Sequence, residues 1–279
     1  MGFSELLQAV RDNPQAVRIP AAWGQGRASC GGLVAALAYE AMRAQVPSGR
    51  PPRSLAITFV GPAAPDVPVR FEVEVLREGK AVSQVLGRAI QDGQVVTIVQ
   101  GSFGAGRDSR IAVSAEPAPE AKAVEACQEM PYIPTVTPEF TRFLAMRWAF
   151  GGLPFTNNPS RDMGGWVRLR DQEAVEVVTE AHLLALVDAW PPAVLPHLSA
   201  PAPGSTLTWT IEFVQPMTAL TTQDWCLYRA HIEHARDGYG HVAAAMWSDK
   251  GALLAISRQT VAVFGEALTK AVAVECCNG

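Results

Sequence analysis

The segment Ile57-Thr58-Phe59-Val60-Gly61-Pro62 returns 154 residues later as Ile211-Glu212-Phe213-Val214-Gln215-Pro216. The turn Arg77-Glu78-Gly79 returns as Arg236-Asp237-Gly238, and Asp92-Gly93 returns as Asp249-Lys250-Gly251. Strand, turn and hairpin signals repeated in one order mark an internal duplication, and the drift in spacing marks small loop insertions. Each unit must then be a structure that half of 279 residues can close on its own core.

The first unit reads as one helix followed by a meander. A short amphipathic helix over residues 4–12 stops at Asn13-Pro14. After Gly31-Gly32 comes an apolar helix from Leu33 to about Val46, with Leu33, Leu37 and Ala41 on one stripe. The strands Ser54–Val60 and Val69–Leu76 follow. The second alternates Val69, Phe71, Val73 and Val75 against Arg70, Glu72 and Glu74, the pattern of a half-buried antiparallel strand. Strands Ala81–Gln91 and Gln94–Phe103 are joined by the tight Asp92-Gly93 hairpin.

Residues 104–139 are rich in proline and low in pattern, and read as a surface linker. Strand character resumes at Phe143–Phe150, Gly165–Arg170 and Ala174–Thr179. The short apolar helix Ala181–Ala189 ends at Trp190-Pro191-Pro192, and by the register of the repeat it is the counterpart of the helix after Gly31-Gly32. Two helix-plus-meander units leave sheet edges that can pair. One continuous antiparallel sheet with two helices against it is expected, with any site at the seam of the halves.

Composition excludes several functions. A net charge of -4 with only 18% charged residues leaves no basic surface for nucleic acid or anionic membrane. No apolar run reaches the roughly 20 residues of a membrane span, and Met1–Leu6 lacks a secretory or myristoylation signal. Five scattered cysteines read as reduced thiols, so a cytoplasmic protein is expected. The glycines at 24, 26, 31 and 32 do not make a dinucleotide fingerprint, because Ser29 stands where its third glycine is needed. They mark instead a close approach of backbone.

Four places carry possible chemistry. Asp188 sits at the end of its helix with Leu184 and Ala185 one turn back. It is either a cap for the turn near Trp190-Pro191, or a carboxylate held out of water whose pKa rises enough for it to act as a base. Gln259 shares a strand face with Leu253, Ala255, Ser257, Val261 and Val263, so its amide should point inward and need partners. Thr206 has the opposite parity to Leu207, Trp209, Ile211 and Phe213. It is a surface threonine unless a bulge turns it. His231 and His234 face opposite ways on a regular strand and cannot share an ion without a bulge, so no metal is expected. Cys30 reads as a small core residue beside Gly31-Gly32, although a helix N-terminus there could lower its pKa.

Together, Gly31-Gly32 before a long apolar helix, Phe59-Val60-Gly61-Pro62, Leu76-Arg77-Glu78-Gly79, Ala89-Ile90-Gln91-Asp92-Gly93 and Ser102-Phe103 resemble the acyl-CoA thioesterase II (TesB-like) family of double-hotdog thioesterases. In the second half Asp188, Ser205-Thr206-Leu207, Phe213-x-x-Pro216 and Ser257-Arg258-Gln259 carry the resemblance. It implies an α+β double hotdog, two tandem units of a long helix wrapped by an antiparallel β-sheet, with an N-terminal hotdog over 1–108, a linker over 109–139 and a C-terminal hotdog over 140–279. It also implies hydrolysis of an acyl-CoA thioester by a water that Asp188, Thr206 and Gln259 hold jointly, without metal or cofactor. Fold logic assigns Gly31 and Gly32 to the oxyanion. A homo-oligomer is expected, since open edges need cover. The rival readings are a non-catalytic acyl-CoA binder and a hotdog hydratase or dehydratase. The latter would pair an Asp with a His, and Asp162 has no following histidine at that spacing.

Overall fold

The computed structural model describes residues 1–170 and 174–264; Cys276 and Cys277 lie outside them. The helices are α1 (Phe3–Asp12), α2 (Gly31–Arg43) and α3 (Glu180–Val187). Three two-residue strands open the chain, β1 (Val17–Arg18), β2 (Gly24–Gln25) and β3 (Ala28–Ser29). The first meander is β4 (Pro52–Phe59), β5 (Pro68–Glu78), β6 (Val82–Gln91) and β7 (Gln94–Gly104). The second half begins with β8 (Leu144–Phe150) and β9 (Asp162–Leu169). It continues with β10 (Gly204–Phe213), β11 (Cys226–Arg236), β12 (Tyr239–Ser248) and β13 (Leu253–Val263).

Eleven strands form one sheet in the order β1-β5-β6-β7-β4-β10-β13-β12-β11-β9-β8. Within each half the first strand of the meander lies beside the last, β4 against β7 and β10 against β13. The repeated strands then pair with each other, Thr58 with Thr208, Ile57 with Trp209 and Ile211 with Leu55. The duplication therefore closes on itself at the centre of the sheet, and the expected continuous sheet is present.

Both central helices lie buried against this sheet. In α2 the run Gly32–Tyr39 is entirely buried, and in α3 every residue from Ala181 to Val187 is. A helix covered nearly all round can be apolar on every face, which explains why neither shows a polar stripe. Full burial of side chains such as Leu183, Leu184 and Leu186 contributes about 1.5–3 kcal/mol each.

Two expectations are corrected. The second central helix is short, eight residues against thirteen in α2, because Pro191 and Pro192 follow and cannot continue it. Ala174–Thr179 is not a strand. Among the described residues its only ladder contact is the bridge Val177–Thr221, since the chain there must drop off the sheet to enter α3. The linker also does more than cross the surface. Ala118, Ala121 and Val124 pack over Trp166, Leu227 and Trp247 on the outer sheet face, and the Trp166 indole N–H donates to the Lys122 carbonyl at 2.8 Å.

Candidate active site

The site is built where α3 ends against the start of α2. Thr179 begins α3. Its backbone N–H donates to His182 Nδ1 at 3.1 Å, and burial lowers the His182 pKa to about 4, so the ring stays neutral and able to accept. Asp188 caps the other end of α3, with its own N–H on the Leu184 carbonyl at 3.3 Å.

The Asp188 carboxylate does not cap the turn that follows it. Gln259 Nε2 donates to Asp188 Oδ1 at 2.9 Å, and the carboxylate lies close against Gly31 and Gly32, whose backbone at the α2 N-terminus favours its charged form. Asp188 thus serves the N-terminus of the other central helix, whose own N-cap, Cys30, supplies no side-chain cap. The dipole of α2 favours a negative charge there. The contact demands glycine. A Cβ on Gly32 would lie 2.6 Å from Asp188 Cβ and 2.8 Å from the Leu184 carbonyl oxygen. The close backbone approach expected of Gly31-Gly32 is therefore the meeting of α2 with α3.

Burial outweighs both of these influences. Desolvation raises the Asp188 pKa from 3.8 to about 7, while Gly32 and Gln259 pull it down. The residue as a whole is half-buried. Its neighbours are held neutral. Burial, and then the Asp188 charge, push the Cys30 thiol up to about 12 and raise the Tyr228 phenol as well. Cys30 is thus no activated thiolate, and burial is the reason.

Gln259 faces inward as its strand pattern required. It pairs across the ladder with Trp209, whose indole N–H donates to Ser257 Oγ at 2.9 Å and pins the register of β10 on β13. Thr206 is where the simple parity argument fails. The register slips between Thr206 and Thr208, so that Thr208 pairs with Thr260 but Thr206 pairs with Val261. Leu207 is the extra residue of a bulge. Residues directly opposite each other share a face, so Thr206 lies on the inner face with Val261 and Gln259. Thr206 Oγ1 makes no hydrogen bond among the described residues, and of the three second-half candidates only Asp188 and Gln259 are bonded directly.

The histidines lead elsewhere. His231 Nδ1 meets Asp162 Oδ1 at 2.7 Å, and His234 stacks on His241 with ring centroids 6.0 Å apart. A register shift between Ile232 and His234 does interrupt the strand, yet among the described residues no three His, Cys, Asp or Glu side chains converge on a metal position. No helix among them is long and apolar enough to cross a membrane.

Phe59 also borders this site, although nothing in the sequence singles it out. It belongs to the repeated segment and to the family resemblance, and its ring lies against Gly31 on the side where Asp188 Oδ2 also lies. Its parity continues the inward series Leu55 and Ile57 to the end of the strand.

No curated protein sequence is significantly similar to the chain. Among solved structures, a conserved hot dog fold protein of unknown function from Alicyclobacillus acidocaldarius is 23% identical with a TM-score of 0.79, covering 92% of this chain and 98% of that one. The tesB protein of Mycobacterium avium subs paratuberculosis is 19% identical with a TM-score of 0.72, covering 93% of this chain and 100% of its own. An acyl-CoA thioesterase II from Mycobacterium marinum is 18% identical with a TM-score of 0.64, covering 85% and 90%. At such identities these likenesses establish the hotdog fold, here an α+β arrangement with a large antiparallel sheet and few helices. The sequence itself matches the models of the acyl-CoA thioesterase N-terminal domain over residues 19–104 and of the acyl-CoA thioesterase C-terminal domain over residues 124–263. On that match, which takes in most of the sheet and both helices that meet at Asp188, the chain belongs to the acyl-CoA thioesterase family.

Proposed function

We propose that this chain is a double-hotdog enzyme, one hotdog over 1–108 and one over 140–279, that hydrolyses an acyl-CoA thioester to the free acid and CoA. The observation that supports it best is the Asp188 carboxylate, bonded to Gln259 of its own half, set against Gly31 and Gly32 of the other and raised to about 7. A base of that pKa is half-ionised at neutral pH and well matched to taking a proton from water.

In this reading Asp188 accepts a proton from a water that Gln259 and Thr206 help to orient. The water oxygen bonds to the thioester carbonyl carbon, and the negative charge gathers on the carbonyl oxygen. The Gly31 N–H at the α2 N-terminus faces that charge, with Gly32 committed to Asp188. The carbon–sulfur bond then breaks, and the CoA sulfur leaves with the proton returned by Asp188. No metal or cofactor takes part, and acyl-CoA is the partner. We place the protein in the cytoplasm as a homo-oligomer.

The test is release of free CoA thiol from acyl-CoAs of graded chain length. Binding without thiol release would sink the reading in favour of a binder. The pH dependence has a definite sign. Asp188 works deprotonated, so kcat/KM should rise with pH through about 7 with a slope of one proton and then level. Gln259→Ala removes a donor that favours the charged form, so the midpoint should move to higher pH. With the water less well held, kcat should fall by about 10–100-fold. An unmoved midpoint would show that Gln259 does not act on Asp188.

A further inference from the structure

We propose that Phe59, contributed by the first half of the chain, contacts the acyl group beside its carbonyl and restricts the site to acyl groups unbranched at that carbon. The inference rests on the thioesterase reading above and names its substrate class.

Phe59 is the last residue of β4 and follows Leu55 and Ile57 along the inner face. Those two are buried under the helices, whereas the Phe59 ring packs on the core only at its border and stays partly open. A Cβ on Gly31 would lie 3.0 Å from both Cε1 and Cζ of that ring and 3.1 Å from Asp188 Oδ2. The ring edge and the carboxylate oxygen are therefore within about 6 Å of each other. The gap between them exists because residue 31 has no side chain. Across the seam Thr58 pairs with Thr208, which sets Phe59 beside the Leu207 bulge that turns Thr206 inward.

That distance decides what the ring can touch. A water bonded to the carboxylate lies about 2.8 Å from it, and it attacks a carbon about 3–3.5 Å further on. The reacting carbonyl carbon is then within about 6 Å of Asp188, the same limit that holds for the Phe59 ring edge. A flat apolar edge at that radius packs against the carbon next to the carbonyl. A methylene fits beside the glycine gap, while a methyl branch there meets the ring. One extra carbon in a shaped apolar slot changes kcat/KM by about 10–200-fold.

The experiment compares hexanoyl-CoA with 2-methylhexanoyl-CoA, both by thiol release and by equilibrium binding to Asp188→Asn protein. Wild type should favour the straight chain by at least about tenfold, beyond what the branch costs in non-enzymatic hydrolysis. Phe59→Ala should reduce that ratio by about tenfold, with Phe59→Leu between them, and the binding ratio should move in the same direction. Equal loss of both substrates in folded Phe59→Ala, or a wild-type ratio near one, overturns the proposal. If the alanine variant does not fold, the leucine variant decides it by the same ratio. If wild type cleaves neither substrate, the thioesterase reading falls. The role of Phe59 is then still decided by the binding ratio in wild type and in the Phe59 variants.

Discussion

Asp188→Asn should lower kcat for acyl-CoA hydrolysis by about 10²–10⁴-fold, the usual worth of a general base, with KM little changed. Asparagine keeps the size of the side chain and an oxygen for the Gln259 amide 2.9 Å away, so the geometry survives while the base is lost. The rise of the rate through about pH 7 should vanish with it. Stability provides the control. The folded state holds a proton on Asp188 up to about 7, whereas an unfolded aspartate gives it up near 3.8. The wild-type contribution is therefore full below about 3.8 and is lost as pH rises through about 7. The variant lacks this penalty, so at pH 8 its melting temperature should equal or exceed that of wild type. A variant that melts early would be a damaged fold, and its lost rate would say nothing about chemistry. A folded variant with the wild-type rate would remove Asp188 from the mechanism.

Gly32→Ala should be the most damaging one-carbon change at the site. In an exposed helix interior this substitution gains up to about 1 kcal/mol. Here the added Cβ lands 2.8 Å from the Leu184 carbonyl oxygen and 2.6 Å from Asp188 Cβ. One neighbour is backbone and the other is fixed by it, so neither can swing aside. Overpacking of this kind costs about 1–3 kcal/mol, and we expect it to win, with a net loss of about 1–2 kcal/mol in denaturant unfolding. Separating α2 from α3 also shifts the carboxylate, and a displacement near 1 Å can cost about 10²-fold in rate. Gly31→Ala offers the contrast. Its Cβ would meet the Phe59 ring at 3.0 Å and Asp188 Oδ2 at 3.1 Å, side-chain atoms that can yield, so stability should hold better than activity. Equal stability of wild type and Gly32→Ala would mean that the two helices do not depend on this contact.

Much of this molecule was legible in one dimension because its signals are local. Alternation along β5, the Asp92-Gly93 hairpin with φ of 48° and 76°, and the apolar run after Gly31-Gly32 each report the conformation of a few neighbouring residues. The repeat of Ile57–Pro62 as Ile211–Pro216 added one long-range fact, that two such units stand in tandem. It led to the continuous sheet now seen with β4 against β10. The strand expected at Ala174–Thr179 failed because propensity cannot sense a chain leaving the sheet to enter a helix. The length of α3 could be read from Pro191-Pro192, yet the family resemblance implied a long helix in each unit.

The sequence by itself determined the duplication, the two apolar helices, the inward amide of Gln259 and the glycine pair that some backbone must approach. Only the tertiary structure decided what approaches it. Asp188 and Gln259 are 71 residues apart, and nothing in the periodicity of either segment records that they meet. The bulge at Leu207 reversed the face of Thr206, because pairing register belongs to two strands and parity to one. The partners of Asp188 were settled in the same way: it caps a helix, as its place in the sequence allowed, but the helix is the one after Gly31-Gly32. Burial at that junction, a property of the packed fold, is what raises its pKa to about 7.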